Sequence, residues 1–266
     1  MENFENFGLP ASLVESLQRM QITVPTPIQI ATIPVALSGQ DILASAQTGS
    51  GKTVAYSIPL IIKLLTVQKS SAIILTPTRE LALQVQQTLI KLLDQTSQFK
   101  TVLLIGGTSM FKQIADLRKR PQLIVGTPGR INDHLQRGSL VLKDTRFLVI
   151  DEADRMLDMG FGIQLEKIAE HLPENRQTLM FSATLPSNIE KLSKKYLRSP
   201  QRISIDASLQ PALKINHETR KVKSSEKFAL LLKELDAREG SVIIFVKTKH
   251  GLFYEHNLRG TEEDRN

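Results

Sequence analysis

The stretch Ala46-Gln47-Thr48-Gly49-Ser50-Gly51-Lys52-Thr53 decides how this chain folds. It lies between an apolar run at residues 41–46 and a segment with helical periodicity at residues 52–67. A glycine-rich loop between a strand and a helix leaves backbone N–H groups free at the helix N-terminus, where the helix dipole also favours anions. The sequence therefore predicts a loop that binds a chain of phosphates. The alternative is a glycine and serine turn that only caps a helix.

Each residue type in the loop fits the phosphate interpretation. Gly49 and Gly51 allow backbone conformations and a close approach that a Cβ atom would block. Lys52 can reach the β- and γ-phosphates, and the hydroxyl of Thr53 can bind Mg²⁺. Alanine stands where the general pattern has its first glycine. We predict a nucleoside triphosphate site formed by Ala46, Gln47, Thr48, Gly49, Ser50, Gly51, Lys52 and Thr53.

The composition is that of an ordinary globular protein with a basic bias. Of its 266 residues, 41% are hydrophobic, which is enough for one large core, or for a large and a small one. Lys and Arg outnumber Asp and Glu by 34 to 27, which suits a polyanionic partner but is also common in proteins without one. The absence of cysteine excludes disulfides, and the five histidines lack ligand-like spacing, so we interpret them as surface or structural residues. Neither a signal peptide nor a membrane span is recognisable, so we expect a cytoplasmic protein without membrane contact.

Short, apolar, β-branched runs alternate with helical segments along most of the chain. The runs lie at residues 41–46, 72–76, 101–105, 123–126, 147–151, 178–182 and 203–205. This alternation predicts an α/β fold in which a mostly parallel sheet is flanked by helices. Ligands of such sheets bind at the carboxyl ends of the strands, and the notable motifs begin where apolar runs stop. We expect the functional residues to converge on that edge.

The character of the sequence changes after about residue 206. Residues 207–225 are polar and contain a proline and a basic cluster, which is typical of a linker or an exposed edge strand. A predicted helix at residues 226–237 and a predicted strand at residues 241–246 follow, and then a polar ending. We therefore predict a first domain at residues 1–206 and a poorly ordered fragment of a second α/β domain at residues 226–266.

Two adjacent carboxylates, Asp151 and Glu152, stand at the end of the apolar run at residues 147–151. Asp151 can hold Mg²⁺, and Glu152 can orient and deprotonate the water that attacks the γ-phosphate. Alternatively, Asp151 only caps the helix that begins at Ala153. Because a Gly-Lys-Thr loop precedes the pair, we favour the catalytic interpretation, with Lys52, Asp151 and Glu152 as catalytic residues and Thr53 and Asp151 as metal ligands.

Asp151-Glu152-Ala153-Asp154 spells the box that names the DEAD-box ATP-dependent RNA helicases, and the chain resembles this family over residues 4–205. The resemblance implies a RecA-like domain, and the compact motif set is similar to the bacterial RhlE-type branch. Further signatures of the family match in order, and they are Pro77-Thr78-Arg79-Glu80-Leu81-Ala82, Gly106-Gly107, Thr127-Pro128-Gly129-Arg130 and Ser182-Ala183-Thr184.

The adenine-recognition element of the family is matched in part. Pro25-Thr26-Pro27-Ile28-Gln29 agrees with it, and Phe4 lies at the spacing of its isolated aromatic residue, whereas Gln21-Ile22 replaces the usual glycine and aromatic pair. A glutamine amide can pair with the edge of adenine, and a Phe ring can stack on the base. We therefore expect Phe4 and Gln29 to bind ATP. Without the resemblance, Gln29 would be an ordinary helix residue and Phe4 a core residue.

Loops after other strands carry the expected RNA contacts. Arg79 and Arg130 can each bind phosphate, and Pro128 suits the first turn of a helix whose free N–H groups face an anion. On their own, these arginines are equally well explained as solvated surface charges. The resemblance implies RNA binding by Arg79, Gly107, Thr127 and Arg130, and coupling between nucleotide state and RNA by Asp154, Ser182 and Thr184.

The first hypothesis for function is an ATP-dependent RNA helicase, in which Mg²⁺-dependent and RNA-stimulated ATP hydrolysis drives local unwinding of an RNA duplex. Helicases of this family have two RecA-like domains, and arginines of the second contact the γ-phosphate. The sequence has neither a His-Arg-x-Gly-Arg-x-x-Arg nor an Ala-Arg-Gly-x-Asp run, so we expect a chain truncated early in its second domain. The alternative is a nucleotide- and RNA-binding module with negligible ATPase activity. Under either hypothesis the partner is RNA, and family analogy implies a protein complex that acts in ribosome assembly or RNA decay.

Overall fold

The computed structural model describes residues 3–67, 69–93, 99–205, 218–223 and 225–246. These residues fall into two compact units, the first ending at residue 205 and the second starting at residue 218. Most of the predicted linker and the end of the predicted second domain lie outside the described residues. The domain boundaries given above therefore stay predictions.

Strands and helices alternate along the first unit, after a turn of 3-10 helix at Phe4–Phe7. Its strands are β1 (Ile42–Ser45), β2 (Ser71–Leu75), β3 (Thr101–Leu104), β4 (Leu123–Gly126), β5 (Thr145–Ile150), β6 (Gln177–Ser182) and β7 (Gln201–Ser204). Its helices are α1 (Ala11–Arg19), α2 (Pro27–Leu37), α3 (Lys52–Thr66), α4 (Arg79–Leu93), α5 (Met110–Leu117), α6 (Pro128–Gln136), α7 (Ala153–Asp158), α8 (Gly162–Ala169) and α9 (Ser187–Tyr196).

The strands form one parallel sheet in the order β3-β4-β2-β5-β6-β1-β7. Successive residues of a strand point to opposite faces, so Ile42 and Ala44 belong to the core cluster on one side of the sheet, and Leu43 belongs to that on the other. Both faces of the central strands are buried under helices, which explains their continuous apolar runs. The predicted α/β fold is confirmed.

The described part of the second unit contains helix α10 (Lys227–Asp236), and the helix predicted at residues 226–237 is found there. The strand predicted at residues 241–246 is wrong, since the structure gives these residues no strand. A strand needs a partner for its backbone N–H and C=O groups, and none pairs with this segment in the described chain. Ile243 and Phe245 are accordingly 79% and 92% exposed. No described helix is both long and apolar enough to cross a membrane.

Candidate active site and nucleic-acid interface

The motifs that follow strands in the sequence lie at the carboxyl edge of the sheet, as predicted. The phosphate loop follows β1, the two carboxylates follow β5, and the Ser-Ala-Thr turn follows β6. These three strands are neighbours in the sheet. The loops with the predicted RNA contacts follow β2, β4 and β3, which are also neighbours. The sheet order thus separates the residues predicted to bind nucleotide, here called the nucleotide half of the edge, from those predicted to bind RNA, here called the RNA half.

The phosphate loop has the backbone that its glycines predicted. Gly49 and Gly51 have φ angles of +83° and +94°, and Gly51 is the N-cap of α3. A Cβ atom at Gly51 would lie 2.6 Å from Nε2 of Gln29, so this position requires glycine for space as well as for conformation. Lys52 is 7% exposed, and its Nζ donates to the carbonyl of Ala46 over 2.8 Å. The ammonium group is therefore held inside the loop, with two further N–H donors for an anion.

Asp151 is the buried acid of the site, with 2% of its surface exposed. Its Oδ2 accepts a 2.9 Å hydrogen bond from the hydroxyl of Tyr56, and its Oδ1 is buried without a partner among the described residues. Burial raises the pKa of Asp151 to about 6, although the hydrogen bond from Tyr56 and the charge of Lys52 both lower it. An unpaired carboxylate oxygen beside the phosphate loop fits a hydrated Mg²⁺ ion, which needs few protein ligands. The residues present therefore fit the metal.

Glu152 follows Asp151 in a left-handed backbone conformation, with φ at +54°. Such a conformation costs a non-glycine residue about 1–2 kcal/mol, and strain of this kind is typical of functional sites. The sharp turn separates the end of β5 from the start of α7 and leaves the Glu152 side chain only 12% exposed. Its Oε2 accepts a 3.1 Å bond from Arg155, which holds the carboxylate at the edge of the sheet.

Asp154 connects the carboxylate loop to the Ser-Ala-Thr turn. Its Oδ2 accepts hydrogen bonds from the backbone N–H of Ala183, the backbone N–H of Thr184 and the Thr184 hydroxyl, over 3.1, 3.0 and 3.1 Å. Burial alone would raise the pKa of Asp154, but hydrogen bonds from the backbone of Arg155 and from Thr184 hold it below its ordinary value. Ser182 is fully buried at the end of β6. The predicted coupling residues are thus neighbours.

The two predicted adenine contacts lie in the core of this half. Gln29 is 2% exposed, its Oε1 accepts from the N–H of Thr26 over 2.9 Å, and its Nε2 donates to the carbonyl of Gly51 over 3.1 Å. Each polar atom of the amide keeps one further hydrogen-bonding position. Phe4 is also 2% exposed and packs edge-on against Phe7 at 6.1 Å between ring centroids. The hydrogen bond from Gln29 to Gly51 therefore connects α2 to the phosphate loop. The contacts of Gln29 and Phe4 with adenine stay predictions.

The RNA half of the edge forms a groove with a volume of about 500 Å³. The guanidinium of Arg79 packs directly on the backbone of Gly106 and Gly107. A Cβ atom at Gly106 would lie 3.0 Å from it, and one at Gly107 would lie 2.5 Å from it, so this close contact depends on the absence of a Cβ atom at both positions. Arg130 donates to the carbonyl of Thr108 over 3.4 Å. The residues that line the groove are Pro77, Thr78, Arg79, Glu80, Gly106, Thr127, Gly129, Arg130, Asp133, Met159 and Phe161.

Two features of the groove suit a phosphate backbone. Helix α6 begins with Thr127 as N-cap and Pro128 in the first turn, so its free N–H groups are at the groove. Arg79 and Arg130 add two positive charges, which Glu80 and Asp133 offset in part. Of the four predicted RNA-binding residues, three line the groove, and Gly107 lies under Arg79.

Comparison with known proteins agrees with this geometry. Residues 26–192 match the DEAD/DEAH box helicase family, and this segment contains the phosphate loop, the two carboxylates and the groove arginines. The chain belongs to the DEAD/DEAH box helicase family. Within it, the chain is 44% identical to the ATP-dependent RNA helicase CshA of Listeria monocytogenes over 253 residues, which are 94% of this chain and 48% of that protein.

Other DEAD-box proteins give the same result. The ATP-dependent RNA helicase DbpA of Bacillus subtilis is 41% identical over 265 residues, which cover 99% of this chain and 54% of that protein. The crystal structure of a DEAD box protein from the hyperthermophile Methanococcus jannaschii superimposes with a TM-score of 0.73 at 36% identity, over 98% of this chain and 70% of that one. The chain thus spans about half the length of these two curated relatives.

The DEAD-box site also contains residues that sequence reasoning missed. Tyr56 lies one helical turn after Lys52 on α3, and this spacing places both on one face of the helix, next to Asp151. That spacing is a signal that the sequence offers. Gln113 and His134, buried below the groove, have no such signal, because their contact joins two helices 21 positions apart.

Proposed function

We propose that this chain is the ATP- and RNA-binding RecA-like part of an ATP-dependent RNA helicase. The observation that carries the proposal is the buried and unpaired Oδ1 of Asp151 beside the Lys52 loop. Leaving one oxygen of a buried carboxylate unpaired is costly, so this arrangement is best explained by a bound cation with its phosphates. The coverage of the relatives supports the same conclusion, since this chain matches about half of two ATP-dependent RNA helicases.

Each residue of the nucleotide half has a chemical role in the proposal. The N–H groups at the start of α3 and the Lys52 ammonium bind the phosphates of ATP, and Thr53 and Asp151 hold Mg²⁺. When bound, Mg²⁺ neutralises negative charge on the phosphate oxygens. Glu152 orients the attacking water and accepts its proton, and Gln29 and Phe4 recognise adenine.

The groove binds the RNA backbone without reading the bases. Arg79, Arg130 and the N-terminus of α6 contact phosphates, and the absence of a Cβ atom at Gly107 allows a close approach. Asp154, Ser182 and Thr184 transmit the nucleotide state to this groove. Its affinity for RNA is expected to fall with salt, because phosphate contacts release counterions.

The test is the rate of phosphate release from ATP with and without single-stranded RNA, in the chain and in two variants. Glu152→Gln is expected to bind ATP and RNA normally and to abolish stimulated release. Glu170→Gln, the same change at an exposed position of the chain, is the control and is expected to behave as the unaltered protein. ATP binding with no RNA-stimulated release from the unaltered chain would instead establish the module with negligible ATPase activity. GTP competing as well as ATP would refute the adenine assignment.

The groove is tested separately by the salt dependence of RNA affinity. Arg130→Ala is expected to weaken binding of any RNA sequence and to reduce the salt slope by about one. Arg137→Ala is the matched control, since Arg137 is exposed at the other end of α6. Equal effects of the two variants would refute the groove as the RNA site. The RhlE-type branch, the cytoplasmic location and partners in ribosome assembly or RNA decay stay predictions.

A further inference from the structure

His134 of α6 is fully buried, yet both of its ring nitrogens have polar partners. Its Nδ1 lies 2.8 Å from the hydroxyl of Ser139, and its Nε2 lies 2.8 Å from Oε1 of Gln113 on α5. Gln113 is itself only 4% exposed. A buried pair of this kind is stable only when its hydrogen bonds are complete, so its orientation is strongly determined.

The other end of the Gln113 amide fixes the direction of every hydrogen bond in the pair. Its Nε2 donates to the carbonyl of Ile105 over 2.9 Å and also contacts the hydroxyl of Thr108. The amide oxygen therefore faces His134, whose Nε2 must carry the proton. Nδ1 is left as an acceptor for the hydroxyl of Ser139, which also lies 3.1 Å from the carbonyl of His134. Burial, and then the charge of Arg130, lowers the pKa of His134, which favours this neutral form.

The backbone that Gln113 holds is the floor of the groove. Residues 105–109 connect β3 to α5, and the Thr108 hydroxyl donates to the carbonyl of Ile105 over 3.1 Å. On the outer side of this loop, Arg79 lies against Gly106 and Gly107, and Arg130 donates to the carbonyl of Thr108. The Gln113 amide thus holds one side of this loop, and Arg79 and Arg130 both contact the other side.

We propose that His134 is a positioning residue for RNA binding, which holds the Gln113 amide in place and thereby supports the loop that places Arg79 and Arg130. The inference rests on the proposed role of the groove. If the amide turned over, its oxygen would face the carbonyl of Ile105, and two acceptors would repel each other. The Ile105 carbonyl thus sets the direction of the amide, and the donor on His134 holds the amide oxygen in place.

The variants are chosen to remove or to keep that donor. His134→Leu removes it, whereas His134→Gln keeps an amide N–H close to the place of Nε2. Ser139→Ala removes the partner of Nδ1 and so leaves the His134 ring less firmly held, without leaving a large cavity. The control is His171→Leu, because His171 is exposed on the same unit. All variants are measured in the full chain, with a single-stranded RNA as probe.

His134→Leu is expected to weaken RNA affinity about tenfold, and Ser139→Ala about threefold, with ATP affinity unchanged. His134→Gln is expected to restore RNA affinity to within about twofold, as His171→Leu does. Equal loss in the Leu and Gln variants would overturn the inference, since packing alone would then matter. If His134→Leu does not fold, an unchanged RNA affinity in Ser139→Ala has the same consequence.

Hydrogen exchange in the absence of RNA separates this inference from the proposed function. The backbone amides of Lys112 and Gln113, which donate to Ser109 at the end of the loop, are expected to exchange faster in His134→Leu and at the ordinary rate in His134→Gln. Unchanged exchange in His134→Leu refutes the positioning role, whatever the RNA result. Faster exchange with unchanged RNA affinity also refutes it, provided that Arg79→Ala weakens binding. If Arg79→Ala has no effect either, the groove is not the RNA site, and the proposed function fails at that point.

Discussion

Replacing Asp154 by alanine removes the acceptor that joins the β5 loop to the β6 loop. One carboxylate oxygen accepts three hydrogen bonds there, two from backbone N–H groups and one from the Thr184 hydroxyl. In the variant, the N–H groups of Ala183 and Thr184 lose their acceptor. Unlike the hydroxyl, they cannot rotate to find another partner, so only water can replace the carboxylate.

The magnitude follows from the number and the environment of these bonds. A hydrogen bond to a charged group contributes about 1.5–3 kcal/mol when it is well buried. Asp154 is half-buried, so water recovers part of this, and we take about 1 kcal/mol for each of the three bonds. The negative charge in the first turn of α7 adds only a few tenths of a kcal/mol. We expect Asp154→Ala to lower the free energy of unfolding by about 3 kcal/mol.

Urea unfolding at neutral pH measures this loss, with Asp158→Ala as control. Asp158 is an exposed acid at the end of the same helix, and its removal is expected to change stability by less than about 0.5 kcal/mol. Because the pKa of Asp154 is lowered in the folded state, its contribution is complete above the ordinary value of 3.8. This contribution is lost as the pH falls further, so the free energies of unfolding of the unaltered protein and of Asp154→Ala should converge in acid. Equal stabilities of the two alanine variants at neutral pH would refute the reasoning.

Three other perturbations have definite outcomes. Gly51→Ala is expected to cost about 2 kcal/mol of stability in a thermal melt and to prevent ATP binding, because its Cβ would meet the Gln29 amide in a left-handed backbone. Tyr56→Phe raises the pKa of Asp151, so the affinity for Mg²⁺-ADP at pH 7 should fall by a factor of about 2–10, and the affinity for Mg²⁺-free ADP should not change. Between pH 7 and 5, the unfolded chain protonates His134 before the folded one does, so stability should fall by up to about 1.4 kcal/mol per pH unit relative to His134→Gln. Parallel pH curves for these two proteins would contradict a lowered pKa.

The parallel sheet was predictable because its strands are buried on both faces. Runs such as residues 123–126 and 147–150 contain only apolar residues and glycine, and all of these residues are buried. The segment at residues 241–246 has the same composition but no partner in the described chain, and so it forms no strand. Apolar composition predicts that a segment will be buried, whereas a strand also requires another strand beside it.

The site was predictable as far as local sequence determines it. Glycines, a lysine and carboxylates at the ends of strands indicate their own position, since every loop after a parallel strand meets the same edge. The partners of those residues were not predictable. Gln29 binds Gly51, Tyr56 binds Asp151, and His134 binds Gln113, across 22, 95 and 21 positions respectively. Such pairs depend on the angle between two packed elements, which a periodic pattern does not encode.

The order of the strands also decides how the two halves of the edge can communicate. From β1 to β4 there are four steps of about 4.8 Å, so phosphate loop and groove lie about 20 Å apart, beyond the reach of any side chain. Backbone hydrogen bonds continue past the strand ends at three of these four steps, and they join Ala46 to Ser182, Asp151 to Leu75 and Thr76 to Gly126.

The step between β5 and β6 is different, because among the described hydrogen bonds of these two loops the connection is made by the Asp154 side chain. A side chain can release its partners by rotating about its own bonds, whereas a backbone link moves only with its strand. The proposed transmission between ATP and RNA therefore has its most easily altered step at Asp154. A nucleotide that moves the Ser-Ala-Thr turn must either break the hydrogen bonds to Asp154 or move the Asp154 carboxylate together with the start of α7.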